Sequence, residues 1–168
     1  MTFMELALAR YSVRQYKETP VEKEKLGLIL EAGRIAPTAG NRQPHRIFVA
    51  QDAEVLEKLD ACTRSRNGAP LVLVVCYDKE ACWVRPFDGE NSGQVDASIV
   101  TTHMMLQAQE LGLGSLWVMH FDPKATSEQL GLAEGLVPVA MLMVGYRADD
   151  SVPTERHSAR QTIEEMLI

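Results

Sequence analysis

Helical and strand patterns alternate roughly along this sequence, and that order predicts an α/β or α+β fold with one central sheet covered by helices. The apolar run Pro70–Tyr77 is rich in β-branched residues, which is typical of a strand buried on both faces. Gln94–Leu111 follows a helical pattern that is apolar around most of its circumference, so this helix must be buried by its own core or by a partner. With 168 residues and no internal repeat or linker, the chain is expected to form a single domain over residues 1–168.

Two capping patterns predict the first two helices. Thr2 and Glu5 form a T-x-x-E box, and apolar residues follow at helical spacing. Farther along, Thr19 can cap a second helix in which Pro20 takes the first position. Pro37 should end that helix near residue 35, because the residue before a proline disfavours the helical conformation.

The remaining elements continue the alternation of helix and strand. Further strands are predicted at His45–Ala50, Ser115–Phe121 and Val137–Tyr146. Asp52 and Asp122 can each cap a short helix, and a proline follows the second of them. Loops are expected over residues 36–45 and 78–93, and the tail from residue 149 is polar before it becomes amphipathic.

The composition excludes several classes of protein. Lys and Arg number 17 against 23 Asp and Glu, and the net charge of −6 argues against nucleic acid as the main partner. Three cysteines are too few, and odd in number, for a disulfide-stapled scaffold. No apolar run reaches the roughly 18 residues of a membrane span, and the N-terminus lacks the basic region of a signal peptide. We therefore expect a cytoplasmic protein with reduced thiols and no membrane partner.

The first candidate site is the stretch Arg10–Tyr16. In an extended chain Arg10, Ser12 and Arg14 point to one face, while Tyr11 and its alternate neighbours point to the other. Two adjacent guanidinium groups repel each other unless an anion lies between them, and a phosphate dianion can accept paired hydrogen bonds from both. The alternative is a solvated surface strand whose arginines pair with nearby glutamates.

Two further stretches are candidates for contact with a planar ligand. The loop Ala36–Pro44 carries Asn41 and Gln43, whose amides suit the edge of a heterocycle with alternating carbonyl and N–H groups. The alternative there is a plain turn. In Gly112–Trp117, Gly114 can let a flat ligand approach the backbone closely, although glycines in this position are usually helix caps.

Other catalytic patterns are missing from the sequence. The four histidines do not have the spacing of a metal site, and nothing marks a cysteine as an activated nucleophile. There is no G-x-S-x-G, Walker or G-x-G-x-x-G motif. No metal site is therefore predicted, and the catalytic residues stay unknown at this point.

Taken together, the three stretches resemble the motifs of the nitroreductase family of flavin enzymes. Arg10-x-Ser12-x-Arg14-x-Tyr16 resembles the family's opening motif, and Ala36–Pro44 resembles its second, in the same order and at the same distance. The helix that ends in Leu106–Trp117 is similar to the third motif, and Val144–Tyr146 with a late basic residue resembles the C-terminal portion. The likeness runs from about residue 5 to the end of the chain.

The resemblance implies an α+β fold with a central mixed β-sheet flanked by helices. It also implies an intertwined homodimer with FMN at the interface, where each flavin site uses both subunits. The residues that the resemblance assigns to the cofactor fall into three groups. Those that hold the ribityl phosphate are Arg10, Ser12, Arg14 and Arg160, and Tyr11 is assigned to the cofactor site beside them. Those that reach the flavin from the other subunit are Pro37, Thr38, Ala39, Asn41 and Gln43. Those whose backbone approaches the ring are Gly114 and Ser115.

The activity that the resemblance implies is a ping-pong oxidoreductase. NADPH or NADH gives a hydride to flavin N5, and a small acceptor such as a nitroaromatic, a quinone or an activated alkene then takes the electrons. The alternatives are an FMN-binding dimer without turnover, serving as a store or sensor, and a specialised flavin enzyme such as a reductive dehalogenase. Relatives often carry Ser in place of Thr38 and an aromatic residue in place of His45. The chain has no room for the long helical lid of larger members, which leaves the flavin more open or leaves residues 78–93 to cover it. Trp83, Arg85 and Phe87 in that segment are candidates to face the substrate.

Overall fold

The computed structural model describes residues 1–168, which form one four-stranded sheet and six helices. The strands are β1 (His45–Ala50), β2 (Leu71–Asp78), β3 (Gly114–Val118) and β4 (Leu136–Gly145). The helices are α1 (Phe3–Ala9), α2 (Lys23–Arg34), α3 (Ala53–Asp60), α4 (Gly93–Glu110), α5 (Pro123–Leu130) and α6 (Ile163–Met166). Short 3₁₀ turns occur at Ala39–Asn41, Lys79–Ala81 and Glu155–His157.

The sheet has the order β1-β2-β4-β3, and every neighbouring pair of strands is antiparallel. The predicted α+β class is confirmed, but the four strands are not mixed in direction. Parallel pairing is limited to an isolated bridge between Ser12 and Ser115 at the outer edge of β3. A continuous apolar run indicates a strand buried on both faces, which is typical of parallel sheets but occurs here in an antiparallel one.

Alternate residues of β2 supply the cores on the two faces of the sheet. Leu71, Leu73 and Val75 pack with α2 and α4 on one face. Val72 and Val74 pack with α3 and α5 on the other. These five side chains have no exposed surface, so the strand is buried on both faces as predicted.

Helix α4 is covered on one side only. It packs against α2 and the sheet, and Met104 is fully buried there. On the other side Val95 is 61% exposed, and a shallow cavity of about 390 Å³ runs past Ser98, Ile99 and Thr102. This chain alone therefore leaves an apolar face of α4 open. No helix has both the length and the apolarity that a bilayer crossing requires.

Most element boundaries lie within a few residues of their predicted positions. The Thr2–Glu5 capping box is present, and Asp122 caps α5 by accepting from the Ala125 amide at 3.0 Å. Helix α2, however, begins at Lys23 rather than after Thr19. The chain is still extended at residue 22, because the preceding valine is buried against the core beside α2. Strand β3 also ends earlier than predicted, at Val118 instead of residue 121.

Candidate functional site

The Arg10–Tyr16 stretch runs along the free edge of β3. The Val13 amide donates to the Ser115 carbonyl at 3.0 Å, and the Val13 side chain is fully buried. Arg10, Ser12 and Arg14 line one cavity of about 130 Å³, as their alternate spacing suggests. Tyr11 also lines this cavity and does not point away from it. The expected alternation therefore fails at Tyr11, because the chain is not a regular strand here and pairs only at single bridges. The assignment of Tyr11 to the cofactor site stays a prediction.

Four guanidinium groups surround this cavity, which we call the arginine cavity. Its arginines are Arg10, Arg14, Arg156 and Arg160, and the other lining residues include no carboxylate. None of the four forms an ion pair in the structure. Burial, and secondly the nearby charge of Arg160, lower the pKa of Arg10. Like charges held together without counter-charges form a site for an anion with several acceptor oxygens.

Tyr11 links this stretch to the C-terminal segment that carries Arg156 and Arg160. Its hydroxyl donates to the Ser151 carbonyl at 2.9 Å. Its ring meets the His157 ring edge-on, with the centroids 6.2 Å apart, and the Arg147 guanidinium lies 5.2 Å from the Tyr11 ring centroid. Tyr11 therefore helps to bring arginines from the two ends of the chain together.

Gly114 and Ser115 lie beneath this stretch, inside the protein. A side chain at Gly114 would come within 2.7 Å of Val13 and 2.8 Å of Arg147, so packing within the chain already requires a glycine there. Ser115 is 2% exposed, and its hydroxyl has no hydrogen-bond partner.

Two larger cavities continue from the arginine cavity along β3. The first, of about 250 Å³, shares Arg14 with it and is also lined by Arg64, Asn67 and Trp117. The second, of about 700 Å³, shares Arg64, Met119 and His120 with the first. The indole nitrogen of Trp117 is buried without a partner. Each cavity shares lining residues with the next, and the three follow one another beside β3; we call them together the track.

The Pro37–Gln43 loop is held by hydrogen bonds within itself and contains three left-handed residues. Gly40, Asn41 and Gln43 have φ values of 55°, 53° and 50°, which lie in the left-handed region. The Thr38 hydroxyl accepts from the Gln43 amide at 3.1 Å, and the Thr38 carbonyl accepts from the Asn41 amide at 2.9 Å. Left-handed conformations of residues other than glycine cost free energy and are typical of functional sites.

One chain does not bring this loop to the arginine cavity. The loop leads into β1, which is at the opposite edge of the sheet from β3, and three strand spacings separate these edges by about 14 Å. No residue of 37–43 lines any of the three cavities. The candidate residues therefore form two separate groups in the chain.

Several residues of the track could not be identified from the sequence. Arg156 lies in a tail without regular pattern, and Arg64 and Asn67 lie in the turn between α3 and β2. The only available signal was the concentration of Arg and Asn in that turn, where polar residues are common for other reasons.

The side chains provide neither a metal site nor an activated thiol. No group of three or more His, Cys, Asp or Glu side chains is placed to hold a metal ion. Burial raises the pKa of the Cys76 thiol to about 12 and also raises that of Cys82. Neither thiol is therefore activated as a nucleophile.

Comparison with known proteins gives a consistent result. The family model described as "Nitroreductase family" matches residues 7–67 and 65–146. A protein of Archaeoglobus fulgidus named for NADH dehydrogenase or NAD(P)H nitroreductase activity is 32% identical over 154 residues, which are 88% of this chain and 86% of that protein. The crystal structure of a nitroreductase family protein of Clostridium difficile is 46% identical, with a TM-score of 0.94 over 100% of this chain and 98% of the other. An FMN-dependent nitroreductase of Clostridium difficile is 28% identical, with a TM-score of 0.77 over 95% and 98% of the two chains. The family model covers most of the chain, and the relatives share its length and fold, so the chain belongs to the nitroreductase family.

Proposed function

We propose that this protein is an NAD(P)H-dependent oxidoreductase that binds FMN along the track beside β3. The observation that carries the proposal is the set of four unpaired arginines around one cavity that continues into a roomier groove. FMN has this same order of parts, with a phosphate dianion at one end and a flat ring at the other. The relatives' names supply the same cofactor and the same electron donor.

The residues present fit the chemistry of FMN. Arg10, Arg14, Arg156 and Arg160 can donate charge-assisted hydrogen bonds to the phosphate, and the Ser12 hydroxyl lies in the same cavity. In the next cavity Arg14 and Arg64 supply positive charge where the ring would lie. Positive charge there stabilises the negative charge of a reduced flavin.

When bound, FMN supplies the hydride and electron transfer, so the protein needs no nucleophile of its own. The chain's residues bind the phosphate, orient the ring and limit access to it. We propose a ping-pong reaction in which the oxidised nicotinamide leaves before a small acceptor enters. Nitroaromatics, quinones and activated alkenes are the proposed acceptors.

We further propose that the working form is a homodimer in which each flavin contacts both chains. The separation of the Pro37–Gln43 loop from the arginine cavity supports this, because a second copy can supply the loop that one chain cannot. The open apolar face of α4 around Val95 supports it as well. In this arrangement Pro37, Thr38, Ala39, Asn41 and Gln43 contact the flavin of the other chain. Gly114 and Ser115 are buried beneath the Arg10–Tyr16 stretch and line none of the three cavities, so they contribute to the site through that stretch. All three cysteines are free, which supports the predicted cytoplasmic location.

The test is the absorbance spectrum of the purified protein after incubation with FMN and removal of free cofactor. We expect flavin bands that bleach when NADPH or NADH is added without oxygen and that return when a quinone is added. Bands that persist with both donors would instead favour the FMN-binding dimer without turnover, or a specialised enzyme such as a dehalogenase. A protein that stays colourless contradicts the proposal.

A further inference from the structure

We propose that Asp96 is a positioning residue that holds the Pro37–Gln43 loop in its cofactor-contacting shape and couples this loop to the hairpin 83–92. The inference rests on the proposed function, because it assigns a role to the loop that meets the flavin. No motif in the sequence pointed to this carboxylate.

Asp96 lies in the first turn of α4 and is 1% exposed. One of its oxygens, Oδ1, accepts from the Ala39 amide at 2.9 Å, and the other, Oδ2, accepts from the Ser92 hydroxyl at 2.7 Å. No lysine, arginine or histidine forms an ion pair with it. A buried carboxylate is costly unless its oxygens find donors, so these two bonds determine where both donors must lie.

The Ala39 amide is an effective point at which to hold the loop. Ala39 is the first residue of the 3₁₀ turn, and the left-handed residues Gly40 and Asn41 follow it directly. Such conformations persist only where the surrounding structure enforces them. The Thr38–Gln43 bond closes the loop from within, and Asp96 ties it to the rigid helix α4.

Ser92 connects the same carboxylate to the hairpin. Its amide donates to the Trp83 carbonyl at 2.9 Å, and Val84 pairs with Asn91 in an antiparallel bridge. The Trp83 ring also lies against the loop, since a side chain atom added at Gly40 would be 3.6 Å from it. Asp96 and the Trp83–Gly40 contact thus join loop and hairpin at two points.

This coupling gives the hairpin a fixed position beside the loop. The predicted cover at residues 78–93 is therefore a short hairpin secured at its base, and Phe87 at its tip is 95% exposed. In the proposed dimer, any shift of the Asp96 clamp moves the loop and the hairpin together.

The test compares three substitutions of Asp96 with a matched control in the same helix. Asp96→Ala removes both bonds, Asp96→Ser keeps a hydroxyl near Ser92 that is too short for the Ala39 amide, and Asp96→Asn keeps an acceptor for that amide. Thr101→Val is the control, because Thr101 is equally buried in α4 and its hydroxyl bonds only within the helix. Thermal unfolding of each variant is recorded, so that all comparisons use folded protein.

The first readout is amide hydrogen exchange over residues 37–43 in the protein without cofactor. We expect exchange about tenfold faster in Asp96→Ala and Asp96→Ser, and close to wild type in Asp96→Asn and Thr101→Val. The Ser variant keeps the test decisive if the Ala variant fails to fold. Unchanged exchange in the folded Ser variant overturns the clamp.

The second readout is the dissociation constant for FMN. We expect it to rise about tenfold in Asp96→Ser and to be restored by Asp96→Asn. If Asp96→Ser has faster amide exchange in the loop but an unchanged dissociation constant for FMN, the positioning role is overturned. If wild-type protein binds no FMN, the proposed function fails, while the exchange data still decide whether Asp96 holds the loop.

Discussion

At the scale of single residues, the arginine cavity shows how an acidic protein can concentrate positive charge in one place. The chain carries a net charge of −6, yet its carboxylates leave four neighbouring arginines unpaired. Elsewhere arginines do have partners, as in the Arg85–Asp88 pair. The unpaired state costs free energy through mutual repulsion, which a bound phosphate would relieve.

We expect Arg156→Ala to weaken FMN binding about as much as Arg10→Ala. Each arginine lines the cavity, and a hydrogen bond to a charged group contributes about 1.5–3 kcal/mol, or roughly ten- to a hundredfold in affinity. Fluorescence titration of FMN measures the effect. Arg34→Ala, which removes only an exposed pair with Glu31, is the control and should leave affinity unchanged. Equal FMN affinities in all three variants would contradict phosphate binding in this cavity.

His45 provides a prediction about pH. Burial, and secondly the charge of Arg46, lower the pKa of His45, and its Nδ1 is buried without a partner. Because the pKa is lower in the folded chain, the unfolded chain binds this proton more tightly. The free energy of unfolding is therefore highest above the unfolded pKa of about 6.5 and decreases as the pH falls below that value. We therefore expect the free energy of unfolding to decrease below about pH 6.5, and His45→Phe to flatten this part of the curve. Urea unfolding of the wild type and of His45→Phe at a series of pH values measures this effect. The same dependence of the free energy of unfolding on pH in both proteins would contradict the prediction.

At the scale of elements, helix α2 contains two glycines in opposite surroundings. A side chain at Gly27 would meet nothing within 4 Å, whereas one at Gly33 would come within 3.0 Å of Met104. Gly27→Ala should stabilise the protein by about 1 kcal/mol, because alanine is the better helix former. Gly33→Ala should destabilise it by about 1–3 kcal/mol through overpacking. Chemical denaturation of both variants checks the pair, and a gain in both would show that Met104 moves aside freely.

The sequence predicts elements well where local patterns dominate. Strand β1 has the predicted limits, and the apolar run of β2 identified the central strand correctly. The start of α2 was missed because tertiary burial of Val21 outweighed a good local cap. The direction of strand pairing could not be predicted from local patterns, since it depends on contacts between segments far apart in the chain.

At the scale of the whole molecule, the open face of α4 is the feature to test. We expect Val95→Arg to convert the proposed dimer to a monomer and to reduce FMN binding with it, because a charge would be placed in an apolar interface. Analytical ultracentrifugation and a flavin spectrum measure the two effects. Gln129→Arg on the exposed side of α5 is the control. A Val95→Arg protein that stays dimeric would locate the interface elsewhere.

The residues of the candidate site could be predicted only in part, because long-range folding brings several of them together. Alternate spacing in Arg10–Arg14 was enough to suggest an anion site, because an extended stretch has a simple geometry. Arg156, Arg64 and Asp96 belong to the arrangement through long-range folding alone, and each lies in a segment whose local sequence resembles ordinary surface or helix.

The placement of the loop and the arginine cavity at opposite edges of the sheet has a consequence for how the enzyme behaves in solution. If two chains must meet to complete each flavin site, a newly made chain cannot retain its cofactor until it finds a second one. The concentration of dimer rises with the square of the free chain concentration, so dilution below the dissociation constant of the dimer would release flavin from an otherwise intact protein. A low concentration of the protein would thus lower its own cofactor loading without any inhibitor.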